Sequence, residues 1–270
     1  MLLTLSLNGN MFYELVFVLM YILYVPLSVA DQLTNDPNKM LNSCLDGMHH
    51  KTEPGPEGDL YKQCYPWRDR SCCKYNTTEA AHHAGLYGFK LDHCTDSAKM
   101  STDCRRHFVQ DLCFYECSPN IGPWIVKDSG MKIRKERYFE VPLCQSDCEA
   151  WFESCYDDYT CTDNWSRNFN WSNGRNHCPA MSKCRTFGSI YGNAGNFCSK
   201  VWDHSWKPVP DEEPCMRLWF NPDGGNPNER VAQIYAVRMA NMGLRVAFIC
   251  SKMYLLTLVL IFLPAMFKIL

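Results

Sequence analysis

The segment VPLCQSDCEAWFESC, residues 141–155, carries Cys144, Cys148 and Cys155 in a run whose apolar or Cys positions recur at three- and four-residue spacing, the mark of a helix. Cysteines at such positions make bridges, rather than core volume alone, the expected fastening of the fold. Working outward, 17 cysteines occur in 270 residues, and 16 of them lie between Cys44 and Cys215. Glutathione would keep such thiols reduced in the cytosol, whereas an even set in one segment can close about eight disulfides in the secretory pathway. The odd one, Cys250, lies beyond the set in a C-terminal apolar tail.

Zinc is the rival use for so many cysteines. Structural zinc sites bring their ligands in C-x2-C knuckles, but the close pairs here are Cys72-Cys73, Cys113/Cys117, Cys144/Cys148 and Cys155/Cys161. Cys72 and Cys73 are adjacent and do not easily bridge to each other, because disulfide geometry is strict. They are expected to tie two different segments to one point, each bridge contributing roughly 2–4 kcal/mol.

Both ends agree with the secretory compartment. LVFVLMYILYVPLSVA, Leu15 to Ala30, is an apolar stretch ending in the small residues a signal peptidase requires, so residues 1–30 read as a signal peptide and the mature chain starts near Asp31. No Lys or Arg precedes that stretch, and Met11 is an alternative start. Met253 to Phe267 is an apolar run of about fifteen residues, short of the roughly 20 that a spanning helix needs. A glycolipid-anchor signal over 242–270 fits better: Ala240, Asn241 and Gly243 are small, Asn241 is the expected attachment site, and Leu244 to Lys252 is the spacer. A tilted transmembrane helix starting near Val246 is the alternative.

The remaining region, 31–241, is about 210 residues, the size of one domain. A formal charge of −2 and a pI near 6.4 give no electrostatic reason to expect nucleic acid. Asp36 to Asn38, Pro54 to Gly58 and Asn221 to Asn228 are turn or loop signals. Helical patterns suit Asp103 to Tyr115, Cys144 to Tyr156 and Glu229 to Met239, while strand signals are short and weak. The expected fold is a single disulfide-rich globular domain of the α+β class, helix-leaning with short strands.

No catalytic motif stands out: the signatures of hydrolases, metalloproteases, nucleotide-binding loops and EF-hands are absent, and no cofactor is expected. His49-His50 and His82-His83 have no neighbouring acid or thiolate and read as surface residues rather than a metal site. The basic run Lys132 to Arg137 reads, by itself, as a solvated face. Eight Trp, fourteen Tyr and fourteen Phe are more than a bridged domain needs, and several sit beside polar residues, as in Trp165-Ser166-Arg167 and Trp202-Asp203-His204-Ser205-Trp206. Aromatics with a few placed polar groups hold flat, polar ring ligands. Packing around disulfides is the competing use, and composition does not separate the two.

The blocks HHKTEPGPE (49–57), RHFVQDLCFYECSPNIGPW (106–124), RKER (134–137), VPLCQSDCEAWFESC (141–155), YTC with NW (159–165) and GNPNE (225–229) resemble the folate receptor family over nearly the whole mature region. Riboflavin-binding protein and the egg adhesion receptor Juno are similar relatives. The resemblance implies the pairs Cys44/Cys72, Cys64/Cys113, Cys73/Cys117, Cys94/Cys184, Cys104/Cys155, Cys144/Cys215, Cys148/Cys198 and Cys161/Cys178. It further implies a cell-surface receptor, anchored in the membrane by a glycolipid, that binds folic acid and reduced folates and carries them into endosomes. A Juno-like adhesion receptor with a protein partner is the alternative; such chains have lost the pterin-gripping acid and the RKER block, which are kept here.

The resemblance also assigns the pocket. Asp111 is expected to accept paired hydrogen bonds from the pterin's amino face, Arg134 and Arg137 to donate to its acceptor atoms, and Ser205 to supply a hydroxyl. Tyr115 and Trp202 match the rings that sandwich the pterin, and Tyr87 and Phe89 match walls near the aminobenzoate. Where the family commonly reads W-H-K-G-W-N-W, this chain has Trp165, Ser166, Arg167, Asn168, Phe169, Asn170 and Trp171. Arg167 in place of Lys remains able to pair a glutamate carboxylate. Ile133 replaces a Trp before the RKER block. Sequons occur at Asn76, Asn164 and Asn170; Asn76 and Asn170 match family glycan sites, whereas Asn164 is created by Ser166. His204, between Trp202 and Ser205, is the first candidate for an acid-sensing group in release, because an unperturbed histidine side chain ionises near pH 6.5; protonation of Asp111 or of the ligand is the competing cause, and a purely structural histidine the plain alternative.

Overall fold

A computed structural model describes residues 36–45, 50–83, 85–130 and 134–241. The signal at 1–30, the tail at 242–270 with Cys250, and His49, Lys132 and Ile133 lie outside the described residues. The helices are α1 (Pro37–Met40), α2 (Tyr75–His82), α3 (Thr102–Cys117), α4 (Gln145–Cys155), α5 (Phe187–Tyr191), α6 (Ala194–Val201) and α7 (228–241). The strands pair two by two. β1 (Ile125–Lys127) with β2 (Glu136–Tyr138), β4 (Tyr159–Thr160) with β7 (Arg185–Thr186), and β5 (Asn170–Ser172) with β6 (Arg175–His177) are antiparallel. β3 (Val141–Cys144) and β8 (Trp206–Val209) are parallel. The architecture is the helix-leaning α+β domain expected from the sequence.

The sequence stops and starts of α3 are local chemistry. Ser101 accepts the Cys104 N–H at 3.2 Å as N-cap, Asp103 puts a negative charge in the first turn, and Pro119 follows the end at Ser118. His107 to Asp111 are buried without interruption, so α3 is enclosed on all sides and its polar residues Gln110, Asp111 and Glu116 go inside with the apolar ones. Three bridges leave this helix: Cys104 to Cys155 at the end of α4, Cys113 to Cys64, and Cys117 to Cys73. Cys72 bonds instead to Cys44, so the adjacent pair fastens two separate segments to one point.

α4 is held by Cys148–Cys198 to α6, with Cys144–Cys215 just before its first turn, while Cys94–Cys184 and Cys161–Cys178 secure the side containing β4 to β7. The aromatic core lies between α3, α4 and α6. Phe108 stacks on Trp165 with centroids 4.5 Å apart and planes 7° apart, and Trp151 meets Phe108 edge-on at 5.0 Å. Such pairs add about 0.5–1.5 kcal/mol beyond area burial. β5 and β6 form a hairpin turned by Asn173 and Gly174, whose φ of 53° and 70° are the left-handed values a two-residue type I′ turn needs. α7 docks through Val231, Ala232 and Ala236, and its Asn228 side chain brackets the Arg217 backbone at 2.7 and 2.9 Å. No helix among the described residues is long and apolar enough to cross a membrane.

Two sequence expectations are corrected here. The run 132–137 is not simply a solvated face: Arg134 is 3% exposed and Arg137 half-buried, because acids from other segments pair with both. His50 is buried against Glu116 at 3.2 Å rather than on the surface. His82 is half-buried and satisfied structurally, its Nδ1 on the Thr78 carbonyl at 2.7 Å and its Nε2 accepting the Gln63 N–H at 3.3 Å. The nearby Cys64 and Cys113 sulfurs are already bonded to each other, which leaves no thiolate for a metal.

Candidate ligand-binding site

A cavity of about 520 Å³ opens beside α3, within the size range of small-molecule sites. α3 contributes Asp111, Leu112, Tyr115 and Glu116, positions one helical turn apart that share a face. The turn before Phe89 contributes Leu86 and Tyr87, with Tyr87 at φ 59°. Arg134, Arg137 and Tyr138 come from β2 and its approach, Trp165, Ser166, Arg167 and Phe169 from the loop leading into β5, Trp171 from β5 itself, and Trp202 and Ser205 from the turn between α6 and β8.

Asp111 is the chemical focus. Its side chain is 2% exposed and its Oδ1 accepts the Trp206 indole N–H at 2.8 Å. Burial pushes the carboxyl up to about 7, against the pull of the Trp206 hydrogen bond. The Trp202 N–H also favours the charged form, though from outside good hydrogen-bond geometry. Oδ2 accepts no hydrogen bond among the described residues. The cavity therefore holds a carboxylate that is poorly solvated and ready for a donor pair.

A second buried acid, Glu116, stands one residue beyond Tyr115. Arg134 Nη2 donates to both its oxygens at 3.1 and 3.2 Å, and the Tyr87 hydroxyl donates at 2.9 and 3.0 Å. Burial pushes Glu116 up, while these donors favour its charge. The Arg134 guanidinium lies 4.7 Å from the ring centroids of both Tyr87 and Tyr115, a cation held between two π faces. Tyr115 and Trp202 both line the cavity, and Trp202 packs on Phe89 at 5.6 Å and Trp165 at 5.5 Å.

The third feature is an ion-pair cluster. Arg137 Nε meets Asp128 Oδ2 at 3.1 Å and its Nη1 donates to the Asp203 carbonyl at 2.5 Å. Arg167 Nε donates to Asp203 Oδ2 at 2.7 Å and its Nη2 to Asp128 Oδ2. Partial burial would raise both acids, but Arg167 and Arg137, helped by Gly130 N–H at Asp128 and Asn164 at Asp203, hold them below the usual carboxylate range. Arg167 is pushed up by its bonds to Asp128 and then Asp203.

Asp111, Tyr115, Arg134, Arg137, Trp165, Arg167, Phe169, Trp171, Trp202, Ser205, Tyr87 and Phe89 thus all border one cavity. His204 does not. It is exposed, at φ 61°, with its ring 6.4 Å from Phe139. The consecutive left-handed residues Asp203 and His204 reverse the chain there, taking His204 out of the wall that Trp202 and Ser205 join. Trp165 is mainly core, 1% exposed with its N–H on Thr160 Oγ1 at 3.0 Å. Of the sequon asparagines, Asn76 and Asn170 are exposed, whereas Asn164 is half-buried and its Nδ2 donates to Asp203 at 3.0 Å. The sequence reading missed Glu116, Asp128, Asp203 and Tyr138. Ion pairs such as Arg167 with Asp128, 39 residues apart, leave no local pattern to read.

The model of the folate receptor family matches residues 43–217. Folate receptor alpha of Bos taurus is 46% identical over 202 residues, covering 73% of this chain and 82% of its own length. Folate receptor gamma of Homo sapiens is 45% identical over 205 residues, 74% of this chain and 82% of its own. Riboflavin-binding protein of Gallus gallus is 33% identical over 179 residues, 66% of this chain and 71% of its own.

Proposed function

This chain belongs to the folate receptor family, and on that premise we propose that it is a cell-surface receptor that binds folic acid and reduced folates in the cavity beside α3. It binds noncovalently and is not an enzyme. The observation that carries the reading is Asp111, a buried carboxylate bordering an aromatic-lined cavity. A pterin presents a 2-amino group and a ring N–H side by side, and a carboxylate accepts both at once. The faces of Tyr115 and Trp202 favour a flat heterocycle without reading its edge. Arg137 retains N–H groups for the neutral acceptor atoms of the ring, and Ser205, whose hydroxyl donates to the Trp202 carbonyl at 2.8 Å, retains lone pairs.

In this reading residues 1–30 are removed as a signal peptide, 31–241 form the binding domain, and 242–270 are exchanged for a glycolipid at Asn241, which is exposed at the end of the described part of α7. Ligand enters the cell with the receptor by endocytosis. Titrating the purified receptor with folic acid and with riboflavin, following tryptophan fluorescence, tests the ligand: saturable quenching by folic acid at lower concentration supports the reading, and preference for riboflavin refutes it. Release of the receptor from cells by a phosphatidylinositol-specific phospholipase tests the anchor, and retention on treated cells favours a spanning helix.

A further inference from the structure

The helix that ends the described chain, α7 at 228–241, turns one face outward. Its other face is docked: Val231, Ala232 and Ala236 are buried, Tyr235 packs on Trp124 with ring centroids 5.0 Å apart, and Asn226 just before the helix donates to Asn120 at 3.0 Å. An α-helix turns about 100° per residue, which puts Arg230, Ile234, Val237, Arg238 and Asn241 together on the side opposite these contacts. Arg230, Val237, Arg238 and Asn241 are exposed there, and Val237, at 53%, is one of the few large apolar side chains of the described residues so open to solvent. Among the described residues neither arginine has an acidic partner; Arg238 lies against the Tyr235 ring of its own helix, 5.3 Å from the centroid. Glu229, the single acid of the helix, falls about 100° off the stripe.

We infer that this stripe lies on the surface of the bilayer to which the chain is attached, with Ile234 and Val237 set into the headgroup boundary and Arg230 and Arg238 paired with lipid phosphates. The inference rests on the membrane attachment proposed above, whether by glycolipid or by spanning helix, and names the face that meets the bilayer. Three observations choose this occupant. Asn241 is itself on the stripe, and residues 242–252 are all that separate it from the apolar run Met253 to Phe267, so either mode of attachment brings lipid to this end of α7. An apolar centre flanked by arginines suits a helix lying in an interface, because the guanidinium fork pairs with phosphate while its stem covers apolar surface. A second copy of the chain fits poorly: a two-fold contact between two such stripes would bring arginines of both copies together, and one stripe is far short of the roughly 20 to 30 residues a side of a stable interface.

The test places a photoreactive benzoylphenylalanine in the full chain on the surface of cells, at Val237 and, for reference, at Tyr156. Tyr156 is 49% exposed and follows Cys155, which is bonded to Cys104 in the first turn of α3; α7 docks beyond the other end of that helix, at Cys117, roughly 20 Å away at 1.5 Å per residue. After irradiation, lipid adducts on the receptor, read by mass spectrometry, should be at least about fivefold more abundant for Val237→benzoylphenylalanine than for Tyr156→benzoylphenylalanine. Adding Arg230→Gln and Arg238→Gln should cut the Val237 adduct to about half or less, a change that mere nearness to the membrane would not produce. Equal lipid adducts at the two positions, a Val237 adduct unmoved by loss of the arginines, or a cross-linked receptor dimer in place of lipid would overturn the inference. A receptor found only in the medium would overturn the membrane attachment itself, and this inference with it.

Discussion

The Trp206 indole N–H donates to Asp111 at 2.8 Å, from a ring that is itself fully buried, so the pocket's key carboxylate is anchored to the core rather than to solvent. The same burial that positions Asp111 pushes its pKa up to about 7. Only the charged form accepts both pterin donors. Below about pH 7 binding must expel a proton, so the folate dissociation constant should rise up to about tenfold per pH unit between 7 and 5. Measured across that range, Asp111→Asn should show weak, flat binding. A parent curve without slope would remove Asp111 as the acid-sensitive group.

The same shift makes a prediction for stability with the opposite sign from a salt-bridged acid. Because the folded pKa is raised, protonation stabilises the fold fully below about pH 4, and that contribution is lost as pH rises to about 7. Asp111→Asn should therefore stabilise the free receptor at pH 8 by on the order of 3 kcal/mol and change it little at pH 4. Denaturant unfolding at the two pH values reads the difference. Equal effects at both would mean that the carboxylate is not destabilised by burial.

Two histidines push the other way. Burial lowers His93 and His107 to about 4, so both fold as neutral rings. Their contribution is present above pH 6.5 and is lost as pH falls toward 4. His93 lies against Trp165 and Phe169, at 4.8 and 4.7 Å, and its Nε2 is 2.9 Å from Thr160 Oγ1, so its protonation reaches the cavity wall directly. His93→Gln should flatten the loss of unfolding free energy between pH 6.5 and 4 by about 2 kcal/mol; an unchanged slope would exclude it.

Phe108 links packing to binding, because it is 0% exposed and stacked on Trp165, which lines the cavity. Phe108→Ala should cost about 3–5 kcal/mol of stability and weaken folate binding as well. Thermal unfolding and ligand titration on the same preparation check both. Loss of stability with unaltered affinity would separate the core from the site.

What the sequence disclosed and what it hid divide along physical lines. The cysteine set announced an eight-bridge domain, and the long helices α3 and α4 lay where the Asp103 to Tyr115 and Cys144 to Tyr156 patterns placed them, because bridges and helical periodicity are written locally. Strands of two to four residues are too short to show a period, although Asn173-Gly174 is a hairpin signal legible in the sequence itself. At the site, the positions given by family motifs converge on one cavity, apart from His204, which a backbone reversal invisible in the motif carries outside. Glu116, Asp128 and Asp203 escaped notice since a charge gains its meaning only from the arginine the fold brings to it.

The central claim is that Asp111 grips the pterin of a bound folate, and the folic acid dissociation constants of the parent and of Asp111→Ala at pH 7.4 test it most directly. Removing one partner of a buried, charge-assisted pair costs on the order of 2–5 kcal/mol, so the variant should bind roughly 30- to 4,000-fold more weakly while the eight disulfides keep the fold intact. A correctly folded Asp111→Ala receptor with the parent's affinity would contradict the account.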